Sequence, residues 1–175
     1  MESNEWRHVS SLNQMHNDSL RFYLENISSN NRFDLLVKKP RKISFINQTV
    51  NFGAGILPGV SIIEVNVLPT QKEQLTFMSN PIVKPFVISG AVTASIEASV
   101  NKKDMDIMFA IYALTPEGKY IALAFNVQRA SYAKDRTKRN LLKPNIKQNI
   151  GIVNTYMTSR QLRKGSRIVS CFGYK

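Results

Sequence analysis

The sequence is poor in the residues that usually carry chemistry. Its single cysteine, Cys171, excludes an internal disulfide, and within RIVSCFGY it is expected to be a small buried hydrophobe on a strand. Two histidines, His8 and His16, sit close together in a polar N-terminal stretch. With one distant cysteine they do not make a zinc set, which needs several Cys or His ligands at fixed spacing, and they stand far from any nucleophile and acid partner. No GxSxG elbow occurs. The nearest stretch, GVS at 59–61, runs on into Ile62 and Ile63, where a sharp strand-to-helix turn needs a small residue. Phosphate-cradling GxxxxGK[ST] and GxGxxG patterns are missing as well, so no metal and no cofactor is expected. No apolar run approaches the roughly 20 residues of a membrane span, and no membrane partner is expected. The start, MESNEWRHVSSLNQ, has neither the basic region nor the apolar core of a signal peptide, which makes the cytoplasm the default expectation.

Acidic residues are also scarce, 12 against 24 Lys and Arg in 175 residues. The imbalance is local: residues 1–130 hold 13 Lys/Arg and 11 Asp/Glu, whereas residues 131–175 hold 11 and one. Two runs carry the excess, KDRTKRNLLKPNIK (134–147) and SRQLRKGSR (159–167), which would form one electropositive surface if they lay side by side. Few aromatics accompany them, and neither run has a helix-turn-helix, zinc-finger or RNP-like pattern. They read as solvated or partner-facing loops, and nucleic acid is not expected to be the partner. A chain of this length with 43% hydrophobic residues is the size of one domain.

The hydrophobic pattern is that of strands. SIIEVNVL (61–68), LTFM (75–78), PFVISGAVTASIEASV (85–100), IMFAIYAL (107–114), KYIALAFNV (119–127), NIGIVNTYM (149–157) and RIVSCFGY (167–174) are rich in Val, Ile, Phe, Tyr and Thr and are separated by turn residues. Alternation gives residues 87–96 one large apolar face, while IMFAIYAL is apolar on both faces, as a central strand covered on both sides must be. TPEG (115–118) has its proline early and its glycine last and predicts a type I turn closing a hairpin. No long amphipathic helix alternates with the strands, so the expected architecture is an all-β sandwich of about eight strands. The first 35 residues differ. Leu12, Met15, Leu20, Phe22, Tyr23 and Leu24 follow no period and support at most a short helix or an edge strand; SSNNRFD (28–34) is turn chemistry, KKPRK (38–42) a basic connector and NFGAGILPG (51–59) a loop.

Several motifs stand in a particular order: Gly90 and Val92 after Ile88, then Ser99, the pair Asp104 and Asp106, the turn residues Pro116 and Gly118, Arg129, the Leu142–Pro144 segment of the basic excursion, and KGSRI with Gly165 and Arg167. This series resembles the C-terminal non-catalytic domain of the cocaine esterase and X-prolyl dipeptidyl-peptidase group of α/β-hydrolases. NEWR (4–7) is similar to the segment by which the chain leaves the hydrolase domain, and FMSNP (77–81) to the entry of the first long strand. The resemblance implies a jelly-roll β-sandwich of galactose-binding-like type with an irregular N-terminal lead-in. Residues 1–40 would be the lead-in from a hydrolase domain, and residues 41–175 a sandwich shortened at its end, with a sheet edge left unpaired.

The resemblance implies that the catalytic triad precedes the NEWR-like segment, so no catalytic residue is assigned. Gly90 is expected to let another backbone approach its strand, and Gly118 to occupy a turn position that penalises a Cβ. Arg129 and Arg167 are expected to pair with Asp104 or Asp106 across neighbouring strands. Paired carboxylates can do acid–base work or help to bind calcium, but the adjacent Lys102 and Lys103 favour a solvated strand entrance. Trp6 would touch the hydrolase catalytic domain, the expected partner, and an uncovered N-terminal patch would favour a homo-oligomer. The expected function is an accessory domain of a serine hydrolase; a carbohydrate-binding module is the alternative, against which the single tryptophan counts.

Overall fold

The computed structural model describes residues 8–11, 14–15, 18–29, 32–50, 66–68, 74–153 and 155–174. Trp6, NEWR, His16, NFGAGILPG and most of SIIEVNVL lie outside the described residues. The described residues form ten strands: β1 Tyr23–Ser29, β2 Arg32–Leu36, β3 Leu75–Ser79, β4 Phe86–Ala91, β5 Ala94–Ala98, β6 Asp106–Leu114, β7 Tyr120–Arg129, β8 Gln148–Ile152, β9 Met157–Leu162 and β10 Arg167–Tyr174. No α-helix occurs among the described residues, and a 3₁₀ turn spans Ala130–Tyr132. The protein is all-β.

Six strands form one sheet in the order β1-β2-β3-β10-β6-β7, while β4 pairs with β9 and β5 with β8. All of these pairs are antiparallel except β2 with β3. The doubly apolar pattern of IMFAIYAL places it inside the large sheet, between β10 and β7. Ile107, Phe109, Ile111 and Ala113 of β6 share one buried cluster with Ile96 of β5, Ile150 and Ile152 of β8 and Leu162 of β9. The small sheets therefore cover that face of the large one, which is the packing of a β-sandwich. Ala110 and Tyr112, alternating with that set, pack with Val169, Cys171, Tyr120 and Leu68 on the other face.

Four phenylalanines cross the first face from strand to strand. Phe33 of β2 lies 5.3 Å from Phe77 of β3, Phe77 lies 5.9 Å from Phe172 of β10 at nearly a right angle, and Phe172 lies 5.1 Å from Phe109 of β6, centroid to centroid. These are the separations at which aromatic rings attract edge to face or offset.

Three sequence expectations change. The stretch 85–100 is two strands that pair with different partners. Gly90 has φ 130°, and between the strands Val92 donates its N–H to Thr155 Oγ1 (2.9 Å) while the same hydroxyl donates to Val92 O (2.6 Å). A side chain thus takes the place of a ladder partner where the chain changes direction. NIGIVNTYM likewise divides, with β8 ending at Ile152 and β9 starting at Met157. Finally, β1 takes the edge, one of the two alternatives expected of the lead-in, but a second strand follows it: β2 joins β3, and Leu35 is buried. A register shift between Leu24 and Ser28 interrupts the alternation of β1, which is why no strand period shows there.

Cys171 is fully buried on β10, with Sγ 3.9 Å from Thr76 Oγ1. Burial pushes its thiol up to about 11, the hydrogen bond with Thr76 opposing this only in part. Because the thiolate is the nucleophile, iodoacetamide at mildly alkaline pH is expected to alkylate the native protein on the order of a hundredfold more slowly than the urea-unfolded chain. Equal rates would show that β10 does not enclose the thiol.

Candidate functional site

Apart from Ile88, Gly90 and Val92, the quoted motif residues gather at the two ends of β6. At its end, the TPEG turn closes the β6–β7 hairpin: Gly118 donates its N–H to Thr115 O (3.0 Å) and Thr115 donates to Lys119 O (2.8 Å). Pro116 suits the fixed φ of its position, and Gly118, at φ 85°, supplies the left-handed residue that lets a type I turn rejoin a ladder. The KGSR turn packs on it. A Cβ on Gly165, whose φ is 87°, would stand 3.3 Å from Pro116 Cγ, and Arg163 Nη1 lies 3.4 Å from Glu117 Oε1. The same turn exchanges backbone bonds with Ile82 (2.7 and 2.8 Å), and Arg167 donates to Ser79 O (2.9 Å). FMSNP, P-x-G and K-G-x-R-I are therefore one interlocked corner.

The other end starts with Asp106, which faces Arg129 directly across the β6–β7 ladder. Arg129 donates Nε to Oδ1 (2.9 Å) and Nη2 to Oδ2 (3.2 Å), a bidentate pair open to solvent that raises the guanidinium pKa. Asp104, two residues earlier, does not join this pair. Its carboxylate accepts the Ser131 hydroxyl (2.7 Å), the Ser131 N–H (3.0 Å), Arg139 Nη2 (3.0 Å) and the Met105 N–H (3.1 Å). Burial pushes its pKa up, but these bonds outweigh burial and hold the carboxyl below its ordinary value.

Around Asp104 the basic excursion folds back on the β5–β6 connector. Ala130 donates to Met105 O, Leu142 to Lys103 O and Asn145 to Val100 O, at 2.7–2.8 Å. Leu142 is buried, and Lys143–Ile146 forms a turn with Pro144 second and Asn145, at φ 59°, third, the arrangement of a type II turn. Ser131, fully buried, and Arg139 are the residues that sequence reasoning missed. The small polar residue two places after Arg129 was the available signal.

Two expectations are corrected here. Arg167 meets neither aspartate, because β10 runs antiparallel to β6 and its first residue pairs with Leu114, at the far end from Asp106. Gly90 has open space where a Cβ would be, so its positive φ, and not a close backbone approach, is what requires glycine. The basic runs are also separated, the first lying at the Asp104 end and KGSR at the Pro116 end, about 26 Å away along a nine-residue strand. His8 is exposed, each carboxylate of the Asp pair is held by an arginine, and no cluster of metal-type ligands occurs among the described residues.

The sequence pattern of the X-Pro dipeptidyl-peptidase C-terminal non-catalytic domain matches residues 1–169. The chain belongs to this family. Among solved structures, similar folds occur in a CocE/NonD family hydrolase from Staphylococcus aureus (TM-score 0.56, 12% identity, 87% of this chain and 28% of that one), in an aminopeptidase from a marine sediment archaeon, Thaumarchaeota archaeon (0.54, 20%, 59% and 18%), and in an α-amino acid ester hydrolase (0.54, 19%, 58% and 18%). At these identities the likeness is one of fold. The chain covers only 18–28% of the length of these hydrolases. No curated protein matches it.

Proposed function

We propose that the chain is the accessory β-sandwich of a serine hydrolase of the X-Pro dipeptidyl-peptidase, esterase or acylase type, docked on the catalytic domain and supporting its active-site cleft. The observation that carries this reading, beside family membership, is an apolar strip along the N-terminal edge of the sheet. Ile27, Ile43 and Phe45 are 64%, 81% and 70% exposed, where large side chains usually find cover. The strip is held in place: Asn26 of β1 donates to Phe45 O (3.4 Å) and Ser44 donates to Glu25 Oε1 (3.3 Å). Chain order favours this face, because the family's domain is C-terminal and residues 23–45 follow the stretch that resembles the exit from the hydrolase domain. Trp6 belongs to the same stretch and is assigned to the same contact. Residues 1–40, which also supply β1 and β2 to the sheet, are then the lead-in from the catalytic domain, and residues 41–175 form the rest of the accessory domain.

Without its partner the strip is expected to drive self-association. Sedimentation should show dimers or larger species that Ile43→Asp with Phe45→Asp converts to monomer at unchanged thermal midpoint, and the chain alone should leave p-nitrophenyl esters and Ala-Pro anilides intact. A wild-type monomer, or turnover abolished by a serine-directed fluorophosphonate, would overturn the reading.

A further inference from the structure

We infer that the Asp104 end of the sandwich is a docking surface for anionic lipid headgroups. Six exposed cations meet there, Lys102 and Lys103 on the β5–β6 connector and Lys134, Arg136, Lys138 and Lys143 on the basic excursion. None of these side chains has a partner among the described residues. Three of the acids nearby are paired with other cations, Asp104 with Arg139, Asp106 with Arg129 and Glu97 with Lys147, while Asp135, held by the N–H and hydroxyl of Thr137, keeps its charge and still leaves the six cations in clear excess. The two segments are tied to each other by the bonds of Leu142 to Lys103 and of Asn145 to Val100, so their charges are presented together. Among them Leu141 and Ile146 stand 50% and 54% exposed.

Composition chooses between partners. Five of the six cations are lysines, compact and strongly hydrated point charges that are depleted from protein–protein interfaces and suited to a diffuse layer of headgroups. A nucleic-acid duplex would leave Leu141 and Ile146 in water and would favour stacking aromatics, of which this surface has only Tyr132, 37% exposed. A second copy seated on this same surface would set like charges against each other, since the cations are presented together. A bilayer interface takes both kinds of side chain, cations among the headgroups and aliphatic groups at the acyl boundary. This surface lies away from the β1 edge and does not depend on the docking of a hydrolase.

The test is sedimentation of the full chain with vesicles of equal parts phosphatidylglycerol and phosphatidylcholine, with pure phosphatidylcholine, inorganic phosphate and a short DNA duplex as further arms. The mixed vesicles should bind and phosphatidylcholine should not, with binding falling as salt rises. Lys134→Gln with Arg136→Gln and Lys138→Gln should weaken binding roughly a hundredfold. Leu141→Ser with Ile146→Ser should weaken it roughly tenfold. All these side chains are exposed, so far-ultraviolet circular dichroism should stay unchanged. Equal binding to both vesicles, no effect of the serine pair, tighter binding to the duplex than to the vesicles, or displacement by millimolar-scale phosphate at constant ionic strength would each overturn the inference.

Discussion

Phe172→Ala is expected to destabilise the fold by about 4 kcal/mol, a large share of the 5–15 kcal/mol typical of a domain. The side chain is 2% exposed and touches aromatic rings on both sides, Phe77 at 5.9 Å and Phe109 at 5.1 Å. Truncation removes its transfer free energy, leaves a cavity between two strands that are hydrogen-bonded to their own neighbours, and breaks two ring contacts at once. The effect should spread, because Phe77 also steadies Phe33 of β2. Urea unfolding should therefore give a lower midpoint at an unchanged slope, with faster amide exchange in β2 as well as β10. Phe45→Ala, at a residue 70% exposed, should move the midpoint hardly at all. If Phe172→Ala cost less than about 1 kcal/mol, the rings would not form the spine of this sheet.

The strands that could be read from sequence were those built from apolar, strand-forming runs bounded by turn residues. β3, β6, β7 and β10 are of this kind, even with a register shift between Ile111 and Tyr112 in the β6–β7 ladder, and the doubly apolar IMFAIYAL marked the centre of the sheet. What stayed hidden depended on contacts between distant residues. The break between β4 and β5 depends on Thr155, 63 residues away from Val92, and β1 is masked by its register shift. β9 was obscured by polar composition: its residues MTSRQL alternate in exposure, with only Leu162 fully buried. The site divides in the same way. Asp106 and Arg129 face each other across a hairpin whose turn is legible, so their pairing follows from strand register. The partners of Asp104 lie 27 and 35 residues onward in an irregular loop that no periodicity describes. The misplacement of Arg167 was avoidable. Asp106 and Arg167 each open a strand, and the antiparallel neighbours β6 and β10 begin at opposite ends.

Asp104→Ala should cost about 3 kcal/mol and free the basic excursion, although Asp104 and Asp106 look alike in sequence. Its side chain is 17% exposed, against 31% for Asp106, and it is the acceptor for both donors of Ser131, a residue with no exposure. Removing the carboxylate strands a buried N–H and a buried hydroxyl and releases Arg139, whereas Asp106→Ala breaks only a pair that solvent already screens. The Asp104 change should therefore lower the urea midpoint far more and should speed trypsin cleavage after Lys134, Arg136 and Lys138. The pH dependence identifies the charge as the cause. Because the folded carboxyl titrates below its unfolded value of 3.8, its contribution is complete above that value and is lost as pH falls through the folded pKa. The gap between wild type and Asp104→Ala should thus be widest near neutrality and should narrow in acid. A gap that stayed constant down to low pH, or trypsin rates equal in the two proteins, would mean that the excursion is held by Leu142 and its backbone bonds alone and that the lysines it carries need no carboxylate to present them.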